Sequence, residues 1–218
     1  MADKDDILEP KKELLSDEMD ILKEVGNIAA AHGGIALSEI LRKKILLSVP
    51  RTQILDAASA KEKLEFERIG IAVYSKIITG LNGRIIFLLD EKNAFRLNDI
   101  SYQFRPEDNR AGVMTEMGMS LIKEIGSMVT SAYVTAIGMM FKRVILLGAP
   151  MLISGTINEI LNITVFTSGD HDEKILLVDA EFEEPEEKIK GNFCLVLTAE
   201  AAIEVQTVCK RILEKLKP

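Results

Sequence analysis

The sequence predicts an α+β fold built from two copies of one unit, a pseudo-twofold duplicated domain around a largely antiparallel sheet. An internal repeat is the first observation behind this. Leu22–Ile28 (LKEVGNI) lies over Ile122–Met128 (IKEIGSM) at an offset of 100 residues, with Lys23/Lys123, Glu24/Glu124 and Gly26/Gly126 identical. The same offset sets Ile45-Leu46-Leu47 over Ile145-Leu146-Leu147 and Pro50 over Pro150, and Gly83–Leu89 lies over Gly191–Leu197 at an offset of 108. The second observation is grouping: strand-like runs cluster inside each copy and helix-like runs stand at its ends, which favours α+β over an alternating architecture. The copies span 14–105 and 114–218 behind a charged tail, 1–13, and form a single domain over 14–218. Two units of this size are too few for a solenoid.

Each copy opens with a long helix. Ser16 is an N-cap followed by the acids Asp17 and Glu18. Leu15, Met19, Leu22, Val25 and Ala29 then recur at spacings of three and four, an apolar stripe. Gly33-Gly34 is expected to loosen this helix before Arg42 ends it. A short strand, Ile45–Val49, follows and Pro50 terminates it. The second copy repeats this with a helix over 114–142, a strand Val144–Leu147 and Pro150. Short helices are expected near Leu55–Leu64 and Ile153–Leu161. Strands are expected at Ile69–Ile78, Gly83–Leu89, Asn162–Thr167, Lys174–Glu181 and Gly191–Leu197, the first two joined by the turn signal Leu81-Asn82-Gly83. Helices Glu91–Tyr102 and Ala199–Leu216 close the copies. Pro106–Asn109 reads as the linker, and acid-rich Glu181–Glu187 as a solvated loop.

Composition narrows the function. The 218 residues are 47% hydrophobic and 28% charged, with a net charge of −7. Nucleic acid and anionic membrane both require basic patches, so neither is expected as a partner. No apolar run approaches the roughly 20 residues that span a bilayer, and the charged N-terminus lacks a signal-peptide core, so the expected location is the cytoplasm. Cys194 and Cys209 sit in apolar patterns and are expected as buried free thiols. His32 and His171 are the only histidines; neither has metal-ligand spacing, and no phosphate loop, dinucleotide fingerprint or nucleophile elbow is present.

What remains is a polar stripe on the first helix. Asp20, Glu24 and Asn27 fall at i, i+4 and i+7 and share one face, which the small Ala31 continues. Glu24 and Asn27 are surface neighbours. Gly26 weakens the helix by roughly 1 kcal/mol relative to alanine, and is expected to leave a bare patch where another molecule's backbone approaches. The second copy carries Ser120, Glu124, Ser127 and Ser131 in the same places, again with a glycine at 126. A glutamate and an asparagine on a solvated helix face are commonplace taken alone. Here the Glu-x-Gly pair recurs in register in both copies, and a proline lies 23 residues beyond Asn27 and beyond Ser127.

The two patterns, Asp20-x3-Glu24-x2-Asn27-x22-Pro50 and Ser120-x3-Glu124-x2-Ser127-x22-Pro150, resemble the signature of the CheC/CheX/FliY phosphatase family of chemotaxis systems, and the duplication and length resemble its CheC type. Ser127 departs from the asparagine of the pattern. The resemblance implies two long helices side by side on a continuous sheet. It implies a hydrolase acting on the aspartyl phosphate of a CheY-type response regulator, with CheD as a further possible partner. Glu24 and Asn27 would form the working site, with Asp20 and Gly26 in support. Glu124 and Ser127 would form a degenerate one, supported by Ser120 and Gly126. No metal or cofactor of its own is implied, the Mg²⁺ belonging to the regulator. The alternative is a non-catalytic adaptor that holds phosphorylated CheY or CheD. On the sequence, the lost amide is what separates the copies, so Ser127→Asn is expected to restore turnover in the second.

Overall fold

The computed structural model describes residues 16–55, 59, 68–102, 114–164, 174–184 and 187–216. In chain order its elements are α1 (Ser16–Leu41), β1 (Leu46–Leu55), β2 (Ile69–Thr79), β3 (Gly83–Asp90), α2 (Glu91–Tyr102), α3 (Glu116–Phe141), β4 (Leu146–Leu147), β5 (Met151–Thr156), α4 (Ile157–Thr164), β6 (Lys174–Glu184), β7 (Glu187–Leu197) and α5 (Ala199–Leu216). The strands form one seven-stranded sheet in the order β1-β6-β7-β3-β2-β4, with β5 also paired to β2. Every pairing is antiparallel. The architecture is the α+β fold expected from the repeat.

The copies interleave. β1 of the first copy pairs with β6 of the second, while β4 and β5 of the second pair with β2 of the first. At the centre β3 pairs with β7, and Ile86 stands opposite Cys194. The 108-residue offset equates these same two positions, so the pseudo-dyad passes through this pair.

Alternation along the strands sorts side chains to two faces. Ile71, Val73, Ile85, Phe87, Val178, Phe193 and Leu195 face the main core beneath α1 and α3. Ala72, Ile86, Leu88, Ile175, Leu177, Cys194 and Val196 face a second core, closed by Ile157, Ile160 and Leu161 of α4. An aromatic column fills the middle of the main core. Phe87 stacks on Phe193 at 5.0 Å between centroids and meets Phe182 edge-on at 5.6 Å, and Tyr133 lies parallel to Phe193 at 5.9 Å. Such pairs add about 0.5–1.5 kcal/mol each beyond area burial.

The repeat extends to helix ends. α1 and α3 each run 26 residues, and each is followed by a left-handed residue, Arg42 (φ 50) and Lys142 (φ 54). The next amide turns back in both: Lys43 N donates to Ser38 O and Arg143 N to Gly138 O. At its start α3 is capped by Thr115, whose Oγ1 accepts from Gly118 N at 3.1 Å.

Several sequence expectations are corrected. β1 does not stop at Pro50 but continues to Leu55, its register with β6 shifting between Ser48 and Arg51. β1 lies at the sheet edge, and a bulge on an edge strand accommodates a residue without an N–H. Gly33-Gly34 does not loosen α1, which continues unbroken to Leu41. The second copy's strand after its long helix is only Leu146–Leu147. The helix expected from Ile153 begins at Ile157, because Thr156 and Glu159 form a capping box. Glu159 Oε2 accepts from Thr156 N at 2.8 Å, and Thr156 Oγ1 accepts from Glu159 N at 3.2 Å. The bond from Thr156 N, with a second from the Thr156 hydroxyl to Oε2 at 2.9 Å, holds the Glu159 carboxyl below its ordinary pKa. Asn162–Thr164, expected as strand, is the last turn of this helix. The acidic loop is shorter than expected, because β6 and β7 continue to Glu184 and Glu187. Glu183–Lys188 and Glu181–Lys190 ion pairs, directly opposite in register, neutralise part of the acidity. The tail 1–13, the helix expected beyond Leu55, the linker Pro106–Asn109 and His171 lie outside the described residues.

Cys194 and Cys209 are buried thiols rather than halves of a disulfide. Burial, with the charge of Asp179 adding to it, pushes the Cys194 thiol up to about 12. Only the thiolate reacts with alkylating agents. Cys194 is therefore expected to resist iodoacetamide at pH 8 in the native protein and to react promptly in denaturant. Mass spectrometry of the adduct checks this, and rapid native labelling would contradict the burial.

Candidate functional site

Side by side, α1 and α3 cover the sheet. Leu22, Val25, Ala29, Ala30 and Leu37 of α1 are buried, as are Ile122, Ile125, Val129, Val134 and Ile137 of α3. The opposite faces are solvated. Asp20, Glu24, Asn27 and Ala31 are all exposed, and at about 100° per residue they fall within about 60° of one another. Glu24 and Asn27 are one turn apart, which puts their Cβ atoms about 5–6 Å from each other. In the second copy Ser120, Glu124 and Ser131 are exposed and Ser127 is half-buried. Thr130, in the next turn, donates its hydroxyl to the carbonyls of Gly126 and Ser127 at 2.8 and 3.0 Å. His32 is exposed on α1.

Both glycines beside these faces point inward. A Cβ on Gly26 would stand 3.2 Å from Val49 Cγ1, and one on Gly126 would stand 2.5 Å from Val73 Cγ2 and 3.1 Å from Phe87. The bare patch expected at Gly26 is therefore a packing contact with β1. Gly26 lies four residues beyond Leu22, on the buried stripe, and that spacing already carried the signal. An exposed carboxylate and an exposed amide on a 26-residue helix can engage a cation and orient a water molecule on a second protein. Among the described residues no group of three histidines, cysteines or acids is placed to hold a metal ion, and no helix is long and apolar enough to cross a membrane.

Known proteins share both sequence and fold with this chain. The CheY-P phosphatase CheC of Bacillus subtilis (strain 168) is 26% identical over 129 residues, 56% of this chain and 58% of that one. The FliY structure from Thermotoga maritima superposes with a TM-score of 0.74 at 19% identity, covering 92% of this chain and 99% of that one. The chain is thus similar in sequence to CheC and in fold to FliY. The matched stretch is under two thirds of the length of the CheC relative. The FliM middle domain from H. pylori shares the fold more distantly, with a TM-score of 0.63 at 11% identity, over 89% of this chain and 99% of that one. No family model matches the chain. In this chain the two motif copies sit on corresponding helix faces.

The glycine geometry makes a direct stability prediction. Gly126→Ala drives a methyl into Val73 and Phe87 and is expected to destabilise by about 1–3 kcal/mol, the usual cost of overpacking. Gly26→Ala meets a single side chain, Val49, at 3.2 Å and beyond, and gains helix propensity of roughly 1 kcal/mol, so it should lie near neutral. Urea unfolding of both variants tests the difference, and equal losses would contradict it.

Proposed function

We infer that the chain is a CheC-type phosphatase that hydrolyses the aspartyl phosphate of a CheY-type response regulator in the cytoplasm, through the Glu24/Asn27 face of α1. The observation that carries this reading is the pair itself: a carboxylate and an amide, one turn apart and exposed on a 26-residue helix, within the spaced pattern that ends at Pro50. The name of the Bacillus subtilis relative, a CheY-P phosphatase, supports the same substrate class.

An aspartyl phosphate is an activated acyl phosphate, and the regulator supplies the Mg²⁺ and a lysine. The attacking water forms a new P–O bond while the bond between phosphorus and the aspartyl oxygen breaks. Inorganic phosphate leaves, the aspartate carboxylate is regenerated, and the water's proton passes to phosphate or solvent. The chain's task is placement. Asn27 accepts a hydrogen bond from the water through its amide oxygen and donates through its NH₂. Glu24 docks against the regulator's lysine in a charge-assisted contact that sets register. Asp20 supports the same face. No histidine base and no cofactor of the chain's own enters. The second face, with half-buried Ser127 in place of the amide, fits docking without turnover.

Asn27→Ala is expected to lower the rate of phosphate release from CheY-P by about 10²–10³-fold, the typical cost of losing one group that acts in the transition state. Release at the wild-type rate would remove Asn27 from the site.

Glu24→Gln is expected to weaken binding to CheY-P and to flatten its salt dependence, since a partly exposed ion pair is screened. Isotherms identical to wild type at low and high salt would take Glu24 out of the interface.

A further inference from the structure

The two long helices do not rest on the sheet in the same way, and the difference lies beneath the proposed site. Toward β1, α1 presents three glycines: Gly26, Gly33 and Gly34. A Cβ on Gly34 would stand 3.3 Å from Leu47 N and 3.4 Å from Ile45 O, and one on Gly33 would stand 3.1 Å from Leu47 Cδ2. With the 3.2 Å approach of Gly26 to Val49, α1 lies close along the edge strand for two turns. Ser38 closes the far end, its Oγ accepting from Ile45 N at 2.9 Å.

At the corresponding places α3 carries Gly126, Tyr133 and Val134. All three are buried, and Gly126 faces Val73 and Phe87 of the central strands. The counterpart of Val49 is Ala149, which is exposed, and residues 148–150 interrupt the edge between β4 and β5. The second copy therefore has no continuous strand shoulder beside its motif face. Around the axis of α1, Asn27 lies about 20° from Gly34 at 100° per residue, so its side chain leaves the helix at the margin next to β1.

We propose that Gly26 and Val49 are positioning residues for Asn27, that the close seam between α1 and β1 sets where the amide stands, and that the second copy is silent because it lacks this seam as well as the amide. This rests on the phosphatase reading of Asn27. It also revises the expectation from sequence that Ser127→Asn restores turnover.

The seam is tested with Gly26→Ala, Val49→Ala and the double variant, each confirmed folded by its thermal melt, with Asn27→Ala as control. Initial rates of phosphate release are followed across a range of CheY-P concentrations. Val49 is β-branched and stiff, so the added methyl of Gly26→Ala displaces α1 by tenths of an ångström, and misplacement at a reacting centre is costly. Gly26→Ala should lower kcat on the order of tenfold with KM within about twofold. Val49→Ala should lower it less. The double variant, in which the lost methyls make room for the new one, should recover most of the rate, a non-additive result that two independent losses of stability do not produce. In the Asn27→Ala background, Ser127→Asn should stay at the control rate. An unchanged kcat in Gly26→Ala beside a dead Asn27→Ala would overturn the seam and leave the phosphatase intact. Strong rescue by Ser127→Asn would likewise overturn it. An active Asn27→Ala sinks both.

Discussion

The antiparallel ladder between β3 and β7 is the constraint on which the rest of the structure depends. It joins the copies at their dyad, puts Ile86 opposite Cys194, and brings Phe87 against Phe193. Because the central strands are shared, each copy's edge strand must find its partner in the other copy: β1 on β6, and β4 with β5 on β2. Half of this chain has no complete sheet of its own. Both faces of the ladder are buried, and the aromatic column above it fills the space between sheet and helices.

That shared core also decides where the helices sit. The column passes upward through Tyr133 to α3, which stands over the central strands. α1 has Gly33 where α3 has Tyr133, and at that position it comes close to Leu47 of β1. A duplicated chain has thus become asymmetric at its motif faces. The first copy keeps glutamate and amide on a helix braced by a continuous edge strand. In the second, the amide is gone, Ser127 is half-buried and the edge is interrupted. Close packing transmits the difference, because a helix seated on glycine stands closer to its strand than one seated on larger side chains.

For chemistry that needs little more than an in-line water, rigidity of placement matters more than the number of reactive groups. Asn27 is one side chain on a long helix whose buried face is closed along its length, and Glu24 shares its exposed face. On the proposed reading the partner supplies the remaining charge, so a surface of one carboxylate and one amide is a coherent site.

Periodicity and repeat were enough to determine, from the sequence alone, the duplication, both long helices, the central hairpin strands and the closing helices, since each depends on contacts that recur at fixed spacing along the chain. The Glu24/Asn27 face was legible for the same reason, helix geometry being local. What the sequence left undecided is what depends on partners distant in the chain. Pro50 looked like a strand end until β6 absorbed it in a bulge at the edge. Gly26 looked like an open patch until Val49 was found beneath it. Thr156 and Glu159 carried a readable capping signal that the apolar run around them obscured. Which residue lies under a glycine, and which strand stands beside a helix, is settled only when the two copies close on each other, because those contacts join segments that no local pattern relates.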